Sequence, residues 1–172
     1  YMIGLARLVL SGMADAQLEL GDSLEQQSLV DSSAGGFDLV LAKPPWGKKQ
    51  GVEESDRFLI PSTDAVSLFI QHALSQLRPG GRAVMVVPPG NLFRSGRDRA
   101  LRQMLLEKHS VEAVVAIPAG SFKPYTSIPS CILAFHKGGA TRSVRMVDTL
   151  RLLKGSLSTG EFWTPGEVVQ EI

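Results

Sequence analysis

The sequence predicts an α/β protein whose sheet is mostly parallel. Continuous apolar runs at residues 37–42 and 83–87 are typical of buried strands, and a segment with a 3.6-residue apolar period lies between them. A strand, a helix and a second strand in this order form a βαβ unit, in which the two strands are parallel. We therefore expect residues 37–42, 83–87 and 111–117 to be neighbouring parallel strands, buried on both faces.

Composition limits the class of protein. A chain of 172 residues with 44% hydrophobic and 20% charged residues is typical of one soluble globular domain. The net charge of +1 does not favour bulk attraction to nucleic acid, so any such contact needs a local basic patch. A single cysteine, Cys131, fits a reducing compartment, and no apolar run is long enough to cross a membrane. We expect a cytoplasmic protein with no membrane contact.

The other elements follow from periodicity and from capping residues. Residues 2–13 predict a helix buried against the sheet and closed by Gly12, and residues 18–20 predict a short strand. Asp64 caps the central helix, whose inward positions begin at Val66. The remaining predicted elements are a helix at 97–108 and strands at 111–117, 130–136 and 144–147.

The two ends of the sequence look cut. The chain begins at Tyr1 with an apolar helical pattern already under way, and no capping residue precedes it. Residues 164–167 (Thr-Pro-Gly-Glu) form a capping box, yet the sequence stops five residues later. We expect a longer protein on both sides.

The strand at 37–42 ends in a distinctive segment, Lys43-Pro44-Pro45-Trp46-Gly47. Two prolines remove backbone donors and hold the chain extended, so the Lys43 side chain is fixed in direction. Ligands of open α/β sheets lie outside the carboxyl ends of the strands, where this tip would stand. An ordinary turn with an anchoring tryptophan explains these residues alone equally well.

Four segments together resemble one family, the adenine-N6 DNA methyltransferases found as modification subunits of type I restriction-modification systems. The Asn-Pro-Pro-aromatic motif of that family matches residues 43–46, and its Gly-Asp-Ser/Thr-Leu motif matches residues 21–24. A Leu-Arg-Pro-Gly-Gly-Arg segment before an apolar strand matches residues 77–88. The loop that begins at Ile117 and the strand that ends at Lys137 match in order and spacing. The resemblance covers residues 5–140.

The resemblance implies a Rossmann-like S-adenosylmethionine-dependent methyltransferase sheet, truncated at its N terminus and mostly parallel, with an antiparallel strand near residues 130–136. Residues 1–140 would then be a partial catalytic domain and residues 141–172 a C-terminal extension. The implied reaction is methyl transfer from S-adenosylmethionine to the N6 amine of adenine in DNA. The implied partners are DNA, a specificity subunit and a restriction subunit.

The resemblance also implies roles for individual residues. Catalytic positions are Lys43, Pro44, Pro45 and Trp46; Trp46 and Phe122 would stack on an extruded base; Asp22 and Ser23 would contact the cofactor; and DNA phosphates would meet Lys48, Lys49, Arg94, Arg97 and Lys123. Local alternatives remain open for each group: core packing for the aromatic residues, a turn for the aspartate and a solvated helix face for the arginines. The three histidines lack ligand spacing, so no metal is predicted.

Two departures from the family pattern concern function. Lys43 stands where the family has Asn, and a protonated lysine has three donors and no acceptor for the amine. The Gly-x-Gly loop that holds S-adenosylmethionine is absent from the sequence, so we expect weak cofactor binding and no activity from this polypeptide alone. A catalytically dead DNA-binding or assembly module is one alternative, and a protein-glutamine N5 methyltransferase is another.

Overall fold

The computed structural model describes residues 1–13, 15–25, 35–47 and 58–149, together with the backbone of residues 161–163. Lys48, Lys49 and the capping box at 164–167 lie outside the described residues. The helices are α1 (Met2–Leu10), α2 (Ala65–Gln76), α3 (Gly90–Phe93) and α4 (Arg97–Lys108). The strands are β1 (Phe37–Ala42), β2 (Leu77–Val87), β3 (Ser110–Ile117), β4 (Ser130–His136), β5 (Val144–Asp148) and β6 (Glu161–Trp163).

The described strands form one mixed sheet in the order β1-β2-β4-β3-β5-β6. The pairs β1–β2 and β3–β5 are parallel, whereas β4 is antiparallel to both of its neighbours. The predicted βαβ unit and the antiparallel strand at 130–136 are therefore confirmed. The prediction that 111–117 lies beside 83–87 is wrong, because β4 separates these strands. Residues 118–129 contain no crossover helix, so β4 folds back on β3 and takes the place beside β2.

The core lies where α2 and α4 pack against β2, β4 and β3. The α2 side chains that the 3.6-residue period places inward are buried, among them Val66, Ile70 and Ala73. Leu101 and Leu105 of α4 are also buried, as predicted. Phe135 of β4 has no exposed surface and lies at the centre of this cluster. Burial of these side chains supplies the main stabilising term.

Three local predictions are wrong. Helix α1 ends at Leu10, and none of its residues is buried against the described part of the chain. Residues 18–20 form no strand, because they find no pairing partner in the described ranges. Strand β1 is not buried on both faces: Val40 and Ala42 pack against the core, whereas Leu39 is 49% exposed and Leu41 70% exposed because no described element covers their face.

The helix-to-strand turn after α2 is tighter than predicted. Helix α2 ends at Gln76 and β2 already begins at Leu77, with a register shift before the regular pairing of Leu39 with Arg82. Gly81 lies so close to β1 that a Cβ atom there would stand 2.7 Å from the carbonyl oxygen of Phe37. Only glycine permits this approach, which sets the register of β1 on β2. Within the described ranges, no helix is long and apolar enough to span a membrane.

Candidate functional site

The loops that carry the predicted site residues leave the sheet on one side, where β1, β2 and β3 have their carboxyl ends; we call this side the carboxyl edge of the sheet. Ala42 at the end of β1 pairs with Met85 near the end of β2, so these two strands end together. Ile117 at the end of β3 pairs with Ser130 at the start of β4. The connections that leave this edge are residues 43–47, 88–96 and 118–129. This is the sheet edge at which α/β proteins bind ligands.

The Pro-Pro tip is anchored at three points. Pro44 is buried, and Trp46 packs against the main core cluster. Gly47 has a φ of +113°, a conformation that side chains disfavour, and its carbonyl accepts a hydrogen bond of 2.8 Å from the Ala65 backbone N–H. This bond ties the tip to the first turn of α2. The backbone that carries Lys43 is therefore held between a strand end and a helix start.

The Lys43 side chain extends from this tip to the loop between β3 and β4. Its Nζ atom lies 5.3 Å from the centroid of the Phe122 ring, within the range of a cation–π interaction. Lys43 is exposed and Phe122 is half-buried. Among the described residues, the Lys43 amino group makes no hydrogen bond or ion pair, so its donors are available to a ligand.

The loop that presents Phe122 is braced by its own backbone. The N–H groups of Tyr125 and Thr126 both donate to the Phe122 carbonyl, at 2.9 and 3.2 Å. The Ser121 hydroxyl donates to the carbonyl of Pro118 at 2.8 Å. These bonds fold the segment into a compact turn next to the tip. Two predicted site residues, Lys43 and Phe122, are thereby brought together from opposite sides of β2 and β4.

Trp46 differs from Phe122 in its surroundings. It is half-buried and packs on the core, which supports the packing alternative for part of its ring. Its Nε1 atom is buried and has no hydrogen-bond partner among the described residues, although tryptophan N–H groups in proteins usually find one. Stacking of Trp46 on a base stays a prediction.

The predicted cofactor residues lie in a local turn. One carboxylate oxygen of Asp22 accepts from the Leu24 N–H at 3.0 Å, as the turn alternative requires. Asp22 is half-buried and Ser23 is exposed. The resemblance implies S-adenosylmethionine as the cofactor, and it places the glycine-rich cradle for that cofactor outside the described residues. Contact of Asp22 and Ser23 with the cofactor stays a prediction.

The predicted phosphate contacts have different environments. Arg97 and Lys123 are exposed. The Arg94 guanidinium lies 3.7 Å from Asp64 and 3.8 Å from Asp98, so two carboxylates compete with a phosphate for its charge. Arg102, one turn further along α4, is only 8% exposed, and its guanidinium donates to the backbone carbonyls of Asn91 and Arg94.

A buried polar network beneath the tip was missed from the sequence. Asp64 accepts from the Ser67 N–H at 3.0 Å and from the Asn91 amide at 2.8 Å, while the Ser67 hydroxyl donates to Asp98 at 2.8 Å. Arg102 donates to the carbonyl of Asn91 at 3.0 Å. This network, formed by Asp64, Ser67, Asn91, Asp98 and Arg102, joins α2, α3 and α4. The capping pattern at Asp64 was the only local signal for it.

Burial shifts the pKa values of Arg102 and Cys131. Desolvation lowers the pKa of the Arg102 guanidinium, and the nearby Asp98 carboxylate acts in the opposite direction. Desolvation raises the pKa of the Cys131 thiol, which favours the neutral, weakly nucleophilic form. Cys131 is buried in β4, as expected for a core residue. In the described ranges, no three His, Cys, Asp or Glu side chains cluster as metal ligands would.

Comparison with known proteins gives concordant matches. The model of the N-6 DNA methylase family matches residues 3–156. The methylase subunit of the type I restriction enzyme EcoEI from Escherichia coli is 33% identical over 109 residues, which are 62% of this chain and 22% of that protein. The MpnII methylase subunit from Mycoplasma pneumoniae is 33% identical over 117 residues, covering 62% of this chain and 21% of that protein.

Solved structures agree with this result. A structure of a type I restriction-modification system matches with a TM-score of 0.74 and 31% identity, over 85% of this chain and 30% of that chain. The EcoKI M protein matches with a TM-score of 0.71 and 25% identity, over 86% of this chain and 32% of that chain. This chain thus spans about a fifth to a third of the length of these proteins. The family model matches residues 3–156, which are most of the sequence. The chain therefore belongs to the N-6 DNA methylase family.

Proposed function

We propose that this protein binds DNA as a type I methylase subunit and holds a target base at the tip, but that Lys43 prevents methylation of adenine. The observation that carries the proposal is the Lys43–Phe122 contact of 5.3 Å. It supports placing an ammonium group, rather than the amide of the family's Asn, beside the ring on which a base would stack.

The chemistry of Lys43 opposes amine methylation in two ways. The hydrogens of an exocyclic amine need acceptors, and a protonated lysine supplies donors only. Positive charge develops on the amine nitrogen as it attacks a methyl group, and a neighbouring ammonium raises the energy of that transition state. S-adenosylmethionine, when bound, supplies the methyl group. The backbone at Pro44 and Pro45 and the ring of Phe122 retain the parts that position a base.

The choice of DNA as the partner rests on the family and on local charge. The relatives are methylase subunits of restriction enzymes, which supports DNA over a protein glutamine as the substrate class. Lys123 and Arg97 are exposed cations on the loops and helices near this edge, and Lys48 and Lys49 follow the tip in sequence. We extend the proposal to a specificity subunit and a restriction subunit as partners, by analogy with those relatives.

The test is methyl transfer from labelled S-adenosylmethionine to duplex DNA, with the protein as its gene encodes it and any specificity subunit supplied. Lys43→Asn should raise adenine methylation about a hundredfold or more, because one oriented hydrogen-bonding group at a reaction centre contributes about 2.7–4 kcal/mol. Lys43→Met is the matched control, since it removes the charge without adding an acceptor, and it should gain far less. Trp46→Ala added to Lys43→Asn should remove the gain.

Two outcomes would contradict the proposal. Robust methylation by the wild-type protein would mean that the acceptor comes from another residue. If Lys43→Asn does not increase methylation in a protein that binds its cofactor, the alternative of a catalytically dead DNA-binding or assembly module is favoured.

A further inference from the structure

We infer that Lys43 and Phe122 form a binding site for an unpaired base that presents a carbonyl oxygen, in preference to one that presents an exocyclic amine. This inference rests on the proposed function, in which the tip holds a base, and it assigns the chemical class of that base. The preferred ligands are 6-oxopurines and 4-oxopyrimidines, whereas adenine is disfavoured.

The first support is the supply of donors at the tip. The ammonium of Lys43 lies over the Phe122 ring, and within the described residues no carbonyl or carboxylate accepts from it. The ring satisfies the charge only weakly, since an exposed cation–π contact is weaker than a charge-assisted hydrogen bond. As far as residues 35–47 and 58–149 are concerned, the three N–H bonds can donate to oxygen or nitrogen acceptors of a ligand.

The second support is the local charge. Residues 43–47 and 118–130 contain two lysines and no acidic residue. The second lysine, Lys123, folds back over the loop, since a Cβ atom on Gly120 would lie 3.2 Å from its Cε atom. Lys43 lies over the Phe122 ring, and Lys123 directly follows Phe122 in the chain. Such a site favours the electron-rich edge of a base.

The third support is the geometry of recognition. The Lys43 ammonium lies over the Phe122 ring, 5.3 Å from its centroid, so a base that stacks on this face displaces the ammonium from the ring to the edge of the base. Lysine pairs with the O6 and N7 acceptors of guanine, and adenine carries an amine donor in place of O6. A donor facing a donor leaves both groups unpaired in a partly desolvated site, so the amine is rejected.

The experiment compares two purines that differ at the 6-position. Fluorescein-labelled duplexes carry one central hypoxanthine or adenine opposite an abasic residue, so that the base is already unpaired and cheap to extrude. A third duplex has an abasic residue at both positions. Dissociation constants are measured by fluorescence anisotropy at one salt concentration, with the protein as its gene encodes it. Hypoxanthine should bind about tenfold more tightly than adenine.

Variants identify the group responsible. Lys43→Met should reduce the hypoxanthine preference to near unity, and Phe122→Ala should weaken binding of both bases by a similar factor. Thermal unfolding of each variant checks that the fold is retained. The comparison of the hypoxanthine and adenine duplexes uses the wild-type protein, so it remains valid even where a substitution prevents folding.

The outcomes separate the inference from the proposed function. Equal affinity for the two purines, or preference for adenine, would overturn the inference while leaving DNA binding intact. Equal affinity for the doubly abasic and the hypoxanthine duplexes would show that the protein does not recognise the base, and it would also overturn the inference. Failure to bind any of the duplexes would overturn the proposed function, and the inference with it.

Discussion

In the proposed function, Lys43 changes the chemistry of the site while the backbone around it is held by other residues. The buried Pro44, the packed Trp46 and the Gly47–Ala65 hydrogen bond of 2.8 Å hold the backbone of the tip. None of these contacts involves the Lys43 side chain. Substitution at residue 43 should therefore alter base recognition and catalysis with little effect on stability, because surface substitutions usually change it by about 0.5 kcal/mol or less.

A second residue-scale prediction concerns pH and His109. Burial lowers the pKa of His109 below its ordinary value of 6.5, and Lys137 and Lys108 lower it further. Its Nδ1 atom accepts a hydrogen bond of 2.9 Å from the Gly138 N–H, which also requires an unprotonated nitrogen. The unfolded chain then binds more protons than the folded chain between the folded pKa and 6.5, so stability rises with pH in that window.

The measurement is the urea midpoint at a series of pH values. The contribution of His109 should be complete above the ordinary pKa and should disappear as the pH falls through the folded pKa. His109→Gln should flatten this part of the profile, because glutamine does not titrate. An unchanged slope in the variant would show that another group causes the loss of stability in acid.

At the scale of elements, the polar network organises the three helices behind the tip. Asp64 both caps α2 and accepts from Asn91 of α3, and Ser67 of α2 donates to Asp98 of α4. These hydrogen bonds satisfy most of the network's polar atoms, although Asn91 Oδ1 and Arg102 Nε are buried without a partner among the described residues. The start of α2 is also the point at which the tip is attached, through Ala65. Substitutions in the network should therefore perturb the proposed base site and also lower the stability of the fold.

The corresponding prediction compares two aspartates. Asp64→Ala should lower the free energy of unfolding by about 1–3 kcal/mol, because it removes a helix cap and the nearer of the two acceptors of the Asn91 amide, which keeps only the Ser67 hydroxyl. Asp38→Ala is the control: Asp38 pairs with Arg78 on the surface, and such pairs contribute about 0–1 kcal/mol. Both values come from urea denaturation, and equal losses would show that the network does not stabilise the helices.

At the scale of the whole molecule, β4 holds the sheet together. It lies between β2 and β3 and is antiparallel to both, and Phe135 at its centre is 0% exposed. The tip follows β1 and the Phe122 loop follows β3, and β2 and β4 lie between these two strands. Strand β4 therefore helps to set the distance between the tip and the loop. The proposed base site thus depends on the correct insertion of β4, although no β4 side chain is assigned to that site.

A matched pair of phenylalanines tests this view. Phe135→Ala should cost about 3–5 kcal/mol of stability, the usual loss for a large buried aromatic side chain. Phe93→Ala removes the same atoms from a side chain that is 55% exposed, and it should cost about 1 kcal/mol or less. Thermal and urea denaturation measure both losses, and a similar loss for the two variants would contradict the placement of the core in β4.

The sequence by itself determined the features that arise from local patterns. Apolar periodicity and the Asp64 cap located α2, the continuous apolar runs located β1 and β2, and the motif segments identified the tip and the Phe122 loop. Such signals depend on neighbours a few residues apart, which the sequence displays directly. Only the tertiary structure decided the place of β4 between β2 and β3, the exposure of β1, the burial of Arg102 and the Lys43–Phe122 contact. These features join residues far apart in the chain, and their energies come from packing and desolvation, which no local pattern encodes.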